Sequence, residues 1–502
     1  PLLVESFVDP LRIKGVCYHA SNWQSIGETS GRRDGRAKKI FVYPLRRGWR
    51  ERLCQESPQT LGGVPAVAHP AHWAEEEFGG VRLYDNRLKR RLYKMAQDFY
   101  NRPQANVPEA CGSKAGTIGA YRFFQNERVT MDVLLDAHIE ATLSRLREHQ
   151  VVLAPQDTTI LNYSTHPMTE GLGPINTIDD ATIGLILHDT LAFTEEGTPL
   201  GILDAQCWSR DPSEQGKKYQ RHERPIEQKE SMKWLRSFQR VSEIQKVCPT
   251  TMLVSIGDRE SDIYELFQTA VHTPHAPQLL VRAERTRHRK VEQQELWEYM
   301  GQQEIAGSLE IHVPRRGNRK ARDVWGEVRF AEVELTPPKR YPSLPAVRVW
   351  AVYLLERSDS VSPDGPIEWM LLTTAEVRSF DDAKKRVEWY SGRWGIEVYH
   401  RTLKSGCRIK DRQLGSADSL QASLGIDMVV AWRIYYMTML GRETPEVPCT
   451  VFFNPSGAAG ATSSFATAGS KTRMCCTSRR GSTVRRACCL TPTACRPTAR
   501  WP

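Results

Sequence analysis

The run Thr251-Met-Leu-Val-Ser-Ile-Gly257 passes with no linker into Asp258-Arg-Glu-Ser-Asp-Ile-Tyr-Glu-Leu-Phe267. The first half is a short apolar strand and the second opens a helix, so the chain must place a strand inside a layered α/β structure. Other segments extend the pattern. Val151-Val-Leu-Ala154 is a short apolar strand that ends in Gln156-Asp157-Thr-Thr. Ala181 to Thr194 and Pro199 to Trp208 read as strands joined by a Glu195-Glu-Gly-Thr hairpin turn. Ile226 to Val247 reads as a long charged helix, stopped by Pro249, and Leu279 to Ala283 as one more strand. A mixed sheet flanked by helices follows.

Upstream, Trp73 to Phe78, Tyr84 to Tyr100, Ser113 to Phe124 and Met131 to Gln150 have helical apolar spacing. Within the second of these, Arg87, Lys89, Arg90, Arg91 and Lys94 crowd the side away from Leu88, Leu92 and Met95. Such a helix suits phosphate contacts, or is an ordinary solvated surface. Residues 72–150 are thus expected to form an all-helical, partly basic module. Downstream, Leu309 to Val313, Val324 to Val333, Val347 to Leu355 and Trp369 to Thr373 alternate as strands, giving a β-rich insertion over about 307–375.

The two ends differ in character. Residues 1–71 start with Pro, lack sustained periodicity and include the basic segment Gly31-Arg-Arg-Asp-Gly-Arg-Ala-Lys-Lys39. They are expected to be disordered or a read-through leader, with a DNA-contacting basic arm as the alternative. Of the net charge of +10, eight Lys or Arg fall between Asn454 and Pro502, where there is no Asp or Glu. The remaining chain therefore carries only +2, so an acidic partner has to be met by local clusters. Residues 446–502 are expected to be disordered, with the composition of a shifted reading frame. Six of the twelve cysteines lie between Cys449 and Cys495 without C-x-x-C spacing, which points to neither a zinc site nor a disulfide framework. No leader peptide or membrane span is read from the sequence.

The most informative stretch is Val387-Glu-Trp-Tyr-Ser-Gly-Arg-Trp-Gly-Ile-Glu-Val-Tyr-His-Arg-Thr-Leu-Lys404, preceded by Ser379 as a helix cap with Asp381 and Asp382 in the first turn. Tyr390, Arg393, Glu397 and Lys404 stand at intervals of three, four and seven, which return to one helical face, and Arg401 joins them. Gly392 and Gly395 allow a break, after which only Glu397, Arg401 and Lys404 keep a shared face. Taken alone, this is also the pattern of a solvated amphipathic helix. Taken with Asp157 and Asp258, each placed at the end of a strand, Glu397 supplies a third carboxylate at one sheet edge. Three carboxylates there repel one another unless a Mg²⁺ or Mn²⁺ ion lies between them, the arrangement suited to phosphodiester attack. Singly, Asp157 reads as a turn residue and Asp258 as a helix cap; Glu260 and Asp262 read as first-turn acids, and His188 of the His188-Asp189 pair as a strand histidine.

Gln156-Asp157-Thr-Thr, Gly257-Asp258-Arg-Glu-Ser-Asp-Ile and Tyr390-x2-Arg393-x3-Glu397-x6-Lys404, in this order, resemble the bacterial DDE transposases of the insertion-sequence-4 type, the last being that family's Y-R-E-K signature. The likeness spans about residues 72–445 and includes Leu83-Tyr-Asp-Asn-Arg-Leu88 and Ala120-Tyr-Arg-Phe-Phe-Gln-Asn126.

The resemblance implies an α/β fold with a ribonuclease-H-like catalytic core over 151–445, its β-rich insertion lying in the 139 positions between Asp258 and Glu397. It implies a helical domain over 72–150 that binds transposon ends. Asp157, Asp258 and Glu397 would be the catalytic, metal-holding acids, with Mg²⁺ as cofactor and Mn²⁺ able to substitute. Tyr390, Arg393, Trp394, Arg401 and Lys404 would contact DNA. The implied reaction is cut-and-paste transposition through a hairpin intermediate on double-stranded DNA, in a homodimeric complex in the bacterial cytoplasm, at the nucleoid when DNA is bound. Dimerising carboxy-terminal helices are not recognisable. A remnant that binds DNA without cutting it is therefore the alternative, and a structure-selective nuclease a third reading.

Overall fold

The computed structural model describes residues 3–8, 24–28, 39–44, 73–176, 182–214, 224–313, 322–357 and 365–443. Three short strands, β1 (Leu3–Val8), β2 (Gln24–Glu28) and β3 (Lys39–Pro44), pair antiparallel in the order β1-β3-β2. This corrects the expectation of disorder across 1–71 for these segments. Lys39-Ile-Phe-Val-Tyr-Pro44 is rich in β-branched and aromatic residues, and Phe41 is buried. The basic segment Gly31 to Ala37 and the tail beyond Glu443 lie outside the described residues.

Five helices follow: α1 (Trp73–Phe78), α2 (Asn86–Asn101), α3 (Val107–Cys111), α4 (Lys114–Phe124) and α5 (Met131–Leu146). The polar residue before each of the last four caps it: Asp85, Asn106, Ser113 and Thr130 each accept a backbone N–H from the first turn. The sequence pattern did not reveal α3, a single turn of Val107-Pro-Glu-Ala-Cys ended by Gly112 in the left-handed region at φ 66°.

The rest is one mixed twelve-stranded sheet with helices against it. Its first half contains β4 (Val151–Asn162), β5 (Gly173–Pro174), β6 (Ile183–Phe193), β7 (Pro199–Trp208), β8 (Met252–Gly257) and β9 (Gln278–Arg282), with α6 (Met232–Val247) and α7 (Tyr264–His272) between strands. The spatial order is β7-β6-β4-β8-β9, with β7, β6 and β4 antiparallel and β4, β8 and β9 parallel. Parallel strands need buried faces, and Leu253, Val254 and Ile256 of β8 are all buried.

The second half adds β10 (Lys290–Val291), β11 (Gln294–Glu295), α8 (Leu296–Gly301), β12 (Gly307–Val313), β13 (Arg322–Leu335), β14 (Val347–Glu356) and β15 (Glu368–Thr373). Strands β12 to β15 occupy the region expected to be a β-rich insertion, about 307–375, while β10 and β11 precede it. They join the first half edge to edge, because β15 pairs antiparallel with β9 through Leu371–Arg282, Leu372–Val281 and Thr373–Leu280. The chain then forms α9 (Phe380–Gly392), α10 (Trp394–Arg401), one π-helical turn (Thr402–Gly406) and α11 (Ala417–Glu443).

One apolar core joins the helical module, the sheet and α11. Gly425 lets α11 approach α5, where an added Cβ would lie 3.4 Å from Leu134 and Met131, and Trp432 Nε1 donates to the Pro199 carbonyl at 3.0 Å. Among the described residues, no helix is long and apolar enough to cross a membrane.

Candidate active site

Asp157 does not end its strand, as expected, but sits in the middle of β4, because Thr158 to Asn162 continue the pairing with β6. Asp258 does follow β8 directly. Its carboxylate accepts the Glu260 N–H at 2.9 Å, capping the turn Arg259–Ser261. Thus the alternative reading of Asp258 as a cap holds, and the same position faces Asp157 closely enough for its charge to raise the Asp157 pKa. The remaining motif acid, Asp262, is fully buried and pairs with Arg289 at 2.7 Å while accepting the Glu284 N–H at 2.8 Å. It anchors the motif to the loop after β9, a stronger role than that of a first-turn acid.

Glu397 lies in the first turn of α10. The helix expected to run through the signature is broken at Arg393, between Gly392 and Trp394, where the two glycines fall. Each glycine sits against the sheet: a Cβ on Gly392 would lie 3.1 Å from Leu153, and one on Gly395 would lie 2.7 Å from the Phe193 ring. α9 is fixed by the Ser379–Asp382 capping box and by Trp389 Nε1, which donates to Glu195 at 2.9 Å.

Arg393 connects the acids. Its guanidinium donates to Glu397 Oε1 and lies 3.9 Å from Asp157 Oδ2. Tyr390, buried beneath, packs edge-on against Trp369 at 5.2 Å, and the Arg282 guanidinium lies near enough to act on its phenol. Lys404, displaced onto the π-helical turn by the Cys407 N–H bonding to Thr402 O at 2.9 Å, still feels Asp157 and Asp189. Burial pushes the Lys404 ammonium down, and those two acids only partly restore it. Trp394 is half-buried, with Nε1 lacking a hydrogen-bond partner among the described residues. Arg401, expected beside Glu397 and Lys404, is exposed and lies instead near Tyr435 of α11.

Two residues to which sequence reasoning gave no role lie against this site. Asp189 is the β6 residue opposite Asp157, and His400 of α10 lies between them, with Nε2 2.7 Å from Asp189 Oδ1 and Nδ1 3.7 Å from Asp157 Oδ2. His400 stands three residues after Glu397 and four before Lys404, so helical spacing alone was the signal that could have found it. Burial lowers its pKa, but Asp189 and Asp157 outweigh this and raise it. His188 is a strand histidine as expected, fully buried between Thr158 and Gln156.

Burial pushes the Asp157 carboxyl up to about 6, against the pull of His400 and Arg393 and with the help of Asp258. The low-dielectric pocket therefore disfavours charge on Asp157 even with two cationic groups beside it. Among the described residues, no group of three or more His, Cys, Asp or Glu is already arranged to hold a metal ion.

Residues 70–129 match the family described as transposase DNA-binding. This covers helices α1 to α4 and the basic side of α2. Among solved structures, the chain is similar to a piggyBac transposase in a synaptic complex with hairpin DNA, determined by cryo-EM, with a TM-score of 0.31 and 12% identity. That alignment covers 67% of this chain and 58% of the other, and a likeness this slight assigns nothing further. The match over 70–129 makes this part of the chain similar to transposase DNA-binding domains, with DNA as the partner it implies.

Proposed function

We propose that the chain is a transposase that binds the inverted ends of its element through residues 72–150. It cuts and joins DNA at a ribonuclease-H-like core that holds Asp157, Asp258 and Glu397. The observation that carries this reading is Arg393 spanning Asp157 and Glu397, with the nearby Asp258 carboxylate helping to raise the Asp157 pKa. Residues 240 positions apart in sequence thereby come together beside β4, in a chain whose residues 70–129 match transposase DNA-binding domains. The five-strand half, three strands antiparallel and then two parallel to the central one, supports the core assignment.

The donor type, carboxylate oxygen, is the one a hard divalent cation takes. All three acids offer carboxylate oxygens, and Asp157 remains raised although Arg393 and His400 stand beside it. Asp157, Asp258 and Glu397 would hold Mg²⁺, or Mn²⁺ in its place. The ion when bound supplies charge stabilisation for attack on a phosphodiester. Arg393 holds Glu397 and Asp157 in register with each other. Trp394, Lys404 and the outlying Arg401 would contact the DNA backbone near the cut, whereas Tyr390, expected to join them, is buried and would support Arg393 from beneath. In this reading hydrolysis frees the 3′ end, a hairpin forms and is opened, and the end is joined to target DNA in a homodimeric complex.

The alternative, a remnant that binds DNA without cutting it, is favoured by the absence of a ready three-donor group among the described residues. The test is nicking of a supercoiled plasmid carrying the gene's own flanking ends, with Mg²⁺ or Mn²⁺, by wild type and by Glu397→Gln. Cuts at the element boundary that vanish in the variant are expected, with end binding retained. Binding without cuts by the wild type selects the remnant, and cuts that survive Glu397→Gln overturn the role of Glu397.

A further inference from the structure

Asp157 and Asp189 are directly opposed on adjacent antiparallel strands. Opposed residues on such a pair share one face of the sheet, and like charges there are destabilising. Asp189 is fully buried, and its Oδ2 has no hydrogen-bond partner among the described residues. The neighbouring β6 residues Leu185, Ile186, Leu187 and Leu191 are buried hydrophobics, so packing alone would be served by another apolar side chain at 189. A buried carboxylate left with one unmet oxygen is costly and needs a reason beyond packing.

The reason lies in what Asp189 holds. Its Oδ1 is 2.7 Å from His400 Nε2, a buried contact that fixes the proton of that nitrogen and the plane of the ring. The ring then turns Nδ1 to Oδ2 of Asp157 at 3.7 Å. Arg393 approaches the same Oδ2, so among the described residues both ion-pair contacts of Asp157 fall on a single oxygen.

We propose that Asp189 and His400 form a positioning pair that fixes the carboxylate of Asp157 by its Oδ2. The pair touches neither substrate nor metal. Its effect passes through Asp157, and it rests on the reading of Asp157 as a catalytic carboxylate.

The experiment compares full-length wild type, Asp189→Asn, His400→Gln, the double variant and Asp157→Asn on DNA carrying the gene's flanking end. Thermal melting and end binding report the fold, an electron-paramagnetic-resonance titration reports Mn²⁺ affinity, and boundary cleavage reports the rate. Residues that orient a metal-holding side chain typically change affinity or activity by about 10–100-fold. Losses of that size in Mn²⁺ affinity and in rate are expected for Asp189→Asn and His400→Gln, with melting and end binding kept. The double variant should be no worse than the poorer single variant, because both act through one contact chain. Folded variants with wild-type Mn²⁺ titration and cleavage overturn the pairing, as do losses that simply add. If Asp189→Asn fails to melt cooperatively, His400→Gln decides by the same two readouts. Unchanged Mn²⁺ binding and cleavage in Asp157→Asn would instead overturn the role of Asp157, and the positioning pair with it.

Discussion

Arg393 donates to Glu397 four residues ahead while the other end of its guanidinium lies 3.9 Å from Asp157 on a different element. Only a planar fork with several donors reaches two carboxylates in this way; a lysine ammonium is a single point of charge. Arg393→Lys should therefore keep the fold and end binding but cleave at least about 10-fold more slowly, the cost of losing one charge-assisted hydrogen bond. The plasmid nicking rate measures this, and a rate equal to wild type would mean that the bridge has no part in the chemistry.

The two glycines at the helix break should respond differently. Gly395→Ala places a methyl 2.7 Å from a Phe193 ring carbon, and a buried ring cannot swing away freely. Overpacking of this kind costs about 1–3 kcal/mol and should push Glu397, two residues on, out of position. Gly392→Ala meets only a Leu153 methyl at 3.1 Å, while replacing a glycine at the end of α9 gains a part of the ~1 kcal/mol that it would gain in a helix interior. Melting temperatures should fall for the first and hold or rise for the second. Equal losses would show that the close approach of α10 to β6 is not what the glycine serves.

Much of this arrangement is legible in the sequence, though by different routes. The acid after β8 is marked by a strand running straight into a turn, and the break at Arg393 by paired glycines. The β-rich segment shows its alternation plainly, yet nothing in that alternation tells that β15 completes the sheet by pairing with β9, since register between distant strands is set by tertiary packing. Asp157 looked like a strand terminus because Thr158 and Thr159 are polar, whereas threonine is β-branched and continues a strand well. Asp189 and His400 were missed for a deeper reason. Their partnership is a contact across 211 positions that exists only once β6 lies beside β4 and α10 crosses both.

On α2 the basic residues divide by what already holds them. Lys94 pairs with Asp98 at 3.0 Å, and Arg87 donates to Asp85 at 3.1 Å, while Arg90 points outward. Each phosphate neutralised by a side chain steepens the dependence of log affinity on log salt by about 0.9. Arg90→Ala should therefore weaken end binding evenly across sequences and flatten that slope by about one, and Lys94→Ala should change it less. Binding isotherms at several salt concentrations provide the comparison. If the two variants have the same slope, local pairing does not govern which cations meet DNA.

Glu77 of α1 ties the helical module to the sheet. Its carboxylate takes both terminal nitrogens of Arg145 at 2.9 and 3.1 Å and lies 2.6 Å from His138 Nδ1. Arg145 in turn donates to the Leu200 carbonyl on β7. The Ile202 N–H donates to His138 Nε2 at 3.1 Å, so that nitrogen is an acceptor and His138 is neutral with its proton on Nδ1. Burial, which lowers the His138 pKa, agrees with this, so Arg145 rather than His138 supplies the charge that Glu77 needs. Burial alone would raise Glu77, but Arg145 and the His138 hydrogen bond outweigh it and hold the pKa at about 2, below the ordinary 4.5. The folded state thus binds fewer protons than the unfolded one between these values. The stabilisation is fully present above pH 4.5 and is lost as the pH falls towards 2. A shift of this size corresponds to roughly 3 kcal/mol. Glu77→Gln should lower the melting temperature at neutral pH and remove most of the extra acid loss, so that the two melting curves converge near pH 2. A constant gap between wild type and variant across that range would show that folding does not shift the pKa of Glu77.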